Sequence, residues 1–82
     1  MASVFFLDVP ENLPVVVVAQ DDTRTQVERV GPYFEVSSDQ GLEIDRRATK
    51  ARHAVWYSCV AGLSGFRIAG WDKDSLRLEL TP

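Results

Sequence analysis

Two short stretches of this chain hold more apolar surface than 82 residues can readily hide. Val4-Phe5-Phe6-Leu7 reads as a strand apolar on both faces and closed by Pro10. After Pro14 comes Val15-Val16-Val17-Val18-Ala19, a β-branched run that predicts a second strand buried on both sides and ended by Asp21-Asp22. An ordinary antiparallel strand needs cover on one face; these two need it on both.

The rest of the sequence supplies one principal helix, from Arg46 to about Leu63, and a single helix covers only one face of a sheet. Three geometries reconcile the two: a sheet closed into a small barrel, a sheet folded back into a sandwich, or a second copy laid on the bare face. The expected fold class is α+β, a mostly antiparallel sheet of five or six strands, barrel-like in the first geometry, packed on the helix at 46–63. At this length the chain reads as a single domain, 1–82.

The helix rests on small and apolar residues at spacings of three and four: Ala48, Ala51, Val55, Cys59 and Gly62, widened by Trp56, Val60 and Leu63. Asp45 caps its start, and Gly62 or Gly65 ends it. Arg46, Arg47, Lys50, Arg52 and His53 make its first two turns basic, which opposes the helix dipole and calls for compensation by Glu43 and Asp45 or by an anionic ligand. Thr23–Val30 carries both a capping-box pattern (Thr23, Gln26) and four β-branched residues, and the balance favours an edge strand. Tyr33–Ser38 and Leu42–Asp45 flank Asp39-Gln40-Gly41 as a hairpin with Gly41 left-handed, Val36 opposite Ile44 and Glu35 opposite Asp45. A last hairpin turns at Asp72-Lys73-Asp74 and sets Ile68 against Leu78, Phe66 against Leu80 and Arg67 against Glu79.

Composition narrows the class of protein. The chain is 45% hydrophobic and 26% charged, an ordinary globular balance. Met1–Val9 lacks the basic start of a signal peptide, Leu13–Ala19 is too short to span a bilayer, and one cysteine forms no internal disulfide. These features read as cytoplasmic, without membrane contact. The net charge of −3 divides into −7 over residues 1–45 and +4 over 46–82, which marks a binding face, two halves that neutralise each other on folding, or head-to-tail attraction between copies, with self-neutralisation the favoured reading.

Catalytic chemistry finds little to work with. His53 and Cys59, the only residues of their kind, stand six apart on the expected helix and so about 240° apart around it, too far for a dyad. Cys59 falls on the apolar stripe and His53 on the basic one. Two Cys/His residues are too few for a structural zinc site, and Asp72-Lys73-Asp74-Ser75 lacks the glycine and glutamate of a calcium loop. Gly62-Leu63-Ser64-Gly65 has the spacing of a backbone-clamping Gly-x-x-Gly loop but lacks its basic centre. No cofactor or metal is expected.

The leading expectation is a small non-catalytic interaction domain, a homo-oligomer or an accessory subunit of a larger complex, whose partner is itself or another protein. Its expected contact residues are Phe5, Val15, Val17 and Trp71. The alternative is nucleic-acid binding through Arg46, Arg47, Lys50 and Arg52, although the chain's pI of about 4.9 weighs against it. A third reading is an enzyme whose site is completed by another chain or uses only carboxylates and arginine, with Asp21, Asp22 and Arg24 as its residues.

Overall fold

The computed structural model describes Met1–Pro82. The chain runs β1 (Ala2–Leu7), α1 (Leu13–Gln20), β2 (Gln26–Val30), β3 (Tyr33–Ser38), β4 (Leu42–Asp45), α2 (Arg46–Thr49), α3 (His53–Trp56), β5 (Val60–Ser64), β6 (Phe66–Trp71) and β7 (Ser75–Leu80). The seven strands form two sheets, one ordered β2-β3-β1-β5 and the other β4-β7-β6, and every pairing is antiparallel. The α+β class holds. Neither a closed barrel nor one sheet on one long helix describes the molecule.

The valine run is the largest departure. Val15–Ala19 lies in α1 rather than in a strand. Pro14, in the first turn of α1, has its φ already suited to a helix and loses no bond through its missing N–H. Val15, Val16 and Ala19 are buried, at the one- and four-residue steps of a helix face, while Val17 is 48% exposed. The β-branched side chains cost the helix a few tenths of a kcal/mol each, against ~1.5–3 kcal/mol for burying a valine. Burial wins. The far end of α1 is tied down by the Thr25 hydroxyl, which donates to the carbonyls of Ala19 (2.8 Å) and Asp22 (2.7 Å).

The long helix at 46–63 breaks into three pieces. Asp45 caps α2 as expected, its Oδ1 accepting from the Arg47 N–H at 3.1 Å. Lys50 then takes a left-handed φ of 58° and ends the helix after one turn. The buried Thr49 hydroxyl stabilises the break: it donates to Arg46 O at 2.6 Å and accepts from the Ala51 N–H at 3.1 Å. α3 adds one more turn, and Val60–Ser64 is strand. The cations that would have opposed a long helix's dipole find no such helix, and Arg46 and Arg47 stand in the last turn of α2.

The 33–45 hairpin does not form either. β3 pairs with β2, across a turn in which Gly31 takes φ 59°, and with β1; β4 leaves for the other sheet and pairs with β7. Val36 thus lies opposite Val4 and Val27, Ile44 opposite Leu76, and Glu35 opposite Phe5 and Glu28. Gly41 is not left-handed; a Cβ there would come within 3.1 Å of the Leu78 carbonyl oxygen. The last hairpin matches its expected register, with Phe66 opposite Leu80, Arg67 opposite Glu79 and Ile68 opposite Leu78, and an irregularity between Ile68 and Gly70. Of the expected edge strand at Thr23–Val30, Gln26–Val30 forms and lies at the sheet edge, while residues 23–25 belong to the loop after α1.

One core joins both sheets. Ala2, Val4, Phe6 and Val36 come from the four-stranded sheet, Leu42, Ile44, Phe66, Leu76 and Leu78 from the three-stranded one, and Val15, Val16 and Ala19 from α1. Trp56 and Cys59 complete it, with the Trp56 indole N–H donating to Asp72 O at 2.7 Å. Much of the apolar surplus is therefore enclosed within the single chain. What stays outside is Val17 on α1 and the opposite face of β1.

Candidate interaction surface

Side chains alternate along a strand, so placing Ala2, Val4 and Phe6 in the core turns Ser3, Phe5 and Leu7 to the other face, where Ser3 is itself buried, Phe5 half-buried and Leu7 exposed. Directly opposed residues of an antiparallel pair share a face. The registers therefore lay out this outer face as three rows. Val30, Tyr33 and Leu7 make an apolar row; Glu28, Glu35, Phe5 and Gly62 make a mixed one; Gln26, Ser37, Ser3 and Ser64 make a polar one. Val30, Leu7 and Tyr33 are 44%, 41% and 37% exposed, an apolar cluster open to solvent.

The apolar end has shape as well as composition. Tyr33 stands edge-on to Phe5, with ring centroids 6.4 Å apart. Phe5, Tyr33, Ala61 and Gly62 line a depression of about 310 Å³. Tyr33 and Ala61 also border a neighbouring groove of about 400 Å³ that reaches Leu7, Val9, Val55 and the acidic rim residue Glu11. At the mixed row the Ser3 hydroxyl donates to Glu35 Oε2 at 2.6 Å.

The expected contact residues separate. Phe5 is half-buried on this face, where it meets Tyr33. Val17 is exposed on α1, away from this sheet face, beside the exposed Leu13. Trp71 is half-buried between Trp56, edge-on at 6.5 Å, and Tyr57 at 5.8 Å, and its indole N–H has no partner. Val15 has no exposed surface and belongs to the core. Sequence reasoning missed Leu7, Val30, Tyr33, Glu28 and Glu35 as one surface. The two-residue turn at Gly31-Pro32, read as a hairpin, would have aligned Val30 with Tyr33.

The basic residues do not form one stripe. Arg46 is half-buried and bonds across the fold, donating from Nε to Lys73 O and from Nη1 to Ala51 O. Arg47 stands 3.7 Å from Asp74. Lys50 and Arg52 lie on the connection between α2 and α3, bordering a shallow cleft with Pro10, Glu11 and Pro14.

The remaining chemistry-bearing groups serve the fold. Cys59 donates to Trp56 O at 3.1 Å, and burial pushes its thiol up to about 11, so it stays protonated and unreactive at neutral pH. His53 is exposed. Arg24 grips Asp22 through Nε (3.1 Å) and Nη2 (2.8 Å) and reaches Gln40 Oε1 at 2.8 Å, clasping the α1–β2 loop to the β3–β4 connection. That bonding by Arg24 holds the Asp22 carboxyl down at about 2. A carboxylate so firmly ionised is a poor proton carrier. No three His, Cys, Asp or Glu side chains converge as a metal ion would require, and no helix is long and apolar enough to cross a membrane.

No family model matches this sequence, and no curated protein matches it. The comparison with solved structures does find a likeness. The fold is shared with a chain in the structure of a phenol hydroxylase–regulatory protein complex. The two superpose with a TM-score of 0.79 over 98% of each chain, at 14% sequence identity. At that identity the likeness is one of fold, but it takes in both sheets, since it leaves almost nothing of either chain over.

Proposed function

We propose that this chain is a non-catalytic accessory subunit that acts by docking on a larger enzyme of the hydroxylase kind. The observation that carries the reading is the end-to-end match of fold with a chain from a phenol hydroxylase–regulatory protein complex. Two features of the chain support it. Its nucleophile and its best-placed carboxylate are both committed to the fold, Cys59 by burial and Asp22 by Arg24. Its four-stranded sheet also keeps an apolar row of its outer face, Leu7, Val30 and Tyr33, open to water, the kind of exposed surface that marks a protein–protein site. Phe5 belongs to that face and is the first of the proposed contacts; Val17 on α1 and Trp71 on the other sheet lie off it and are proposed as contacts separate from it, and a cytoplasmic location suits such a role.

The experiment is direct. Phenol hydroxylase purified free of its regulatory protein is mixed with this chain, and both complex formation and turnover are followed. An accessory subunit forms a complex of fixed stoichiometry and changes the turnover rate. A chain that neither binds nor alters turnover removes the proposal.

A further inference from the structure

We propose that the outer face of the four-stranded sheet is the docking surface, and that it receives a partner-protein surface whose apolar projection is flanked by lysine or arginine. The inference rests on the accessory-subunit reading and adds to it the surface and the chemistry of what covers it.

Charge distinguishes this face as much as apolar area does. The three rows of this face hold two glutamates and no basic residue. Glu28 lies directly opposite Glu35 on the neighbouring strand, an arrangement that opposes like charges and weakens the sheet. Neither carboxylate has an ion-pair partner, and neither does Glu11 at the rim of the groove. The nearest arginine by sequence, Arg29, points to the other side of β2, where it pairs with Asp8 and lies 5.9 Å over the Phe34 ring. The chain's own cations thus leave this repulsion in place, and an incoming cation relieves it. Beside the carboxylates, Leu7, Val30 and Tyr33 and the depression between Phe5, Ala61 and Gly62 offer an apolar seat.

A second copy of this chain is the weaker occupant. Pairing two such faces about a two-fold axis sets each copy's Glu28–Glu35 row against a surface that also lacks any basic residue. A foreign surface bearing arginine or lysine has no such conflict.

The test compares three variants for binding to phenol hydroxylase purified free of its regulatory protein. Glu28→Lys relieves the opposition within the sheet, so it folds at least as well as the parent. Tyr33→Ala removes the apolar centre. Glu43→Lys, on the exposed face of the other sheet, is the control. Circular dichroism checks that each is folded. The proposal expects binding about tenfold weaker or worse for Glu28→Lys and Tyr33→Ala, within about twofold of the parent for Glu43→Lys, and parental affinity that falls as salt rises. Parental binding that all three variants share overturns the surface assignment and leaves the accessory reading standing. Loss confined to Glu43→Lys does the same. A parent chain that does not bind overturns the accessory reading itself. A parent that sediments as a dimer and becomes a monomer on Tyr33→Ala puts a second copy on the face and overturns the assignment to a foreign partner.

Discussion

Truncating the valines of α1 one at a time distinguishes a helix from a strand by pattern rather than by size alone. Val→Ala removes two methyl-sized groups, about 0.8 kcal/mol each when fully buried, or about 1.6 kcal/mol before any cavity is counted. Alanine returns about 0.5 kcal/mol through its better helix propensity. At Val15 and Val16, both enclosed, the net loss is about 1–2.5 kcal/mol once an unfilled cavity is included. At Val17, 48% exposed, the transfer loss halves to about 0.8 kcal/mol, and the propensity gain brings the net close to zero. Urea unfolding followed by far-ultraviolet circular dichroism reads these losses as shifts in midpoint at constant slope. The expected order is Val15→Ala and Val16→Ala well below the parent, and Val17→Ala beside it. A strand buried on both faces suffers alike at all three positions. Parity between Val16 and Val17 would therefore refute the helix packing.

Three further outcomes follow from particular contacts. Cys59, enclosed and with its thiol pushed up to about 11, should react with thiol reagents at pH 8 only as fast as the protein opens, so that urea accelerates labelling; rapid labelling of the native protein contradicts its burial. Asp22 has a folded pKa of about 2 against an ordinary 3.8, so its clasp with Arg24 contributes fully above the higher value and is lost as pH falls toward the lower one. Stability measured from about pH 5 downward should accordingly decline less steeply in Asp22→Asn than in the parent, and identical slopes count against the clasp. Gly65 has φ 76°, and a Cβ there meets that of Ala2 at 3.1 Å, whereas Gly31 has φ 59° and open space around it. Gly31→Ala should cost about 1–2 kcal/mol for backbone strain alone and Gly65→Ala clearly more; equal losses in thermal unfolding rule out the close approach at β1.

What could be read from the sequence was what neighbours along the chain decide. The last hairpin announced its register because apolar met apolar and Arg67 met Glu79 across a short turn. The Asp45 cap, the enclosed Cys59 and the edge strand at 26–30 were legible for the same local reasons. The failures lie where tertiary partners override local preference. Four consecutive valines prefer a strand, yet the space between the sheets takes a helix whose buried face is Val15, Val16 and Ala19. The periodicity of 46–63 suits a helix, yet Thr49 satisfies its own turn and Val60–Ser64 is taken by β1. The unfavourable cations read at the start of that helix were themselves a sign against it. As for the surface, Phe5 was visible as surplus apolar strand, but its neighbours Tyr33, Glu35 and Glu28 reach it through pairings between distant segments, which composition does not encode.

The place of β1 in the middle of its sheet has a consequence for how the molecule is made. Its two flanking strands are drawn from residues 33–38 and 60–64, so on a growing chain the first of these arrives some thirty residues late and the second some sixty. Until then Phe6 has no interior to enter, and the lid that shuts that interior, Leu76 and Leu78, is synthesised later still. Assembly therefore waits until β7 has been made, and the nascent segment is left sticky for as long as the ribosome takes to deliver its partners. Swapping synonymous codons to slow translation between residues 40 and 60 lengthens that exposure without altering a single contact of the finished protein.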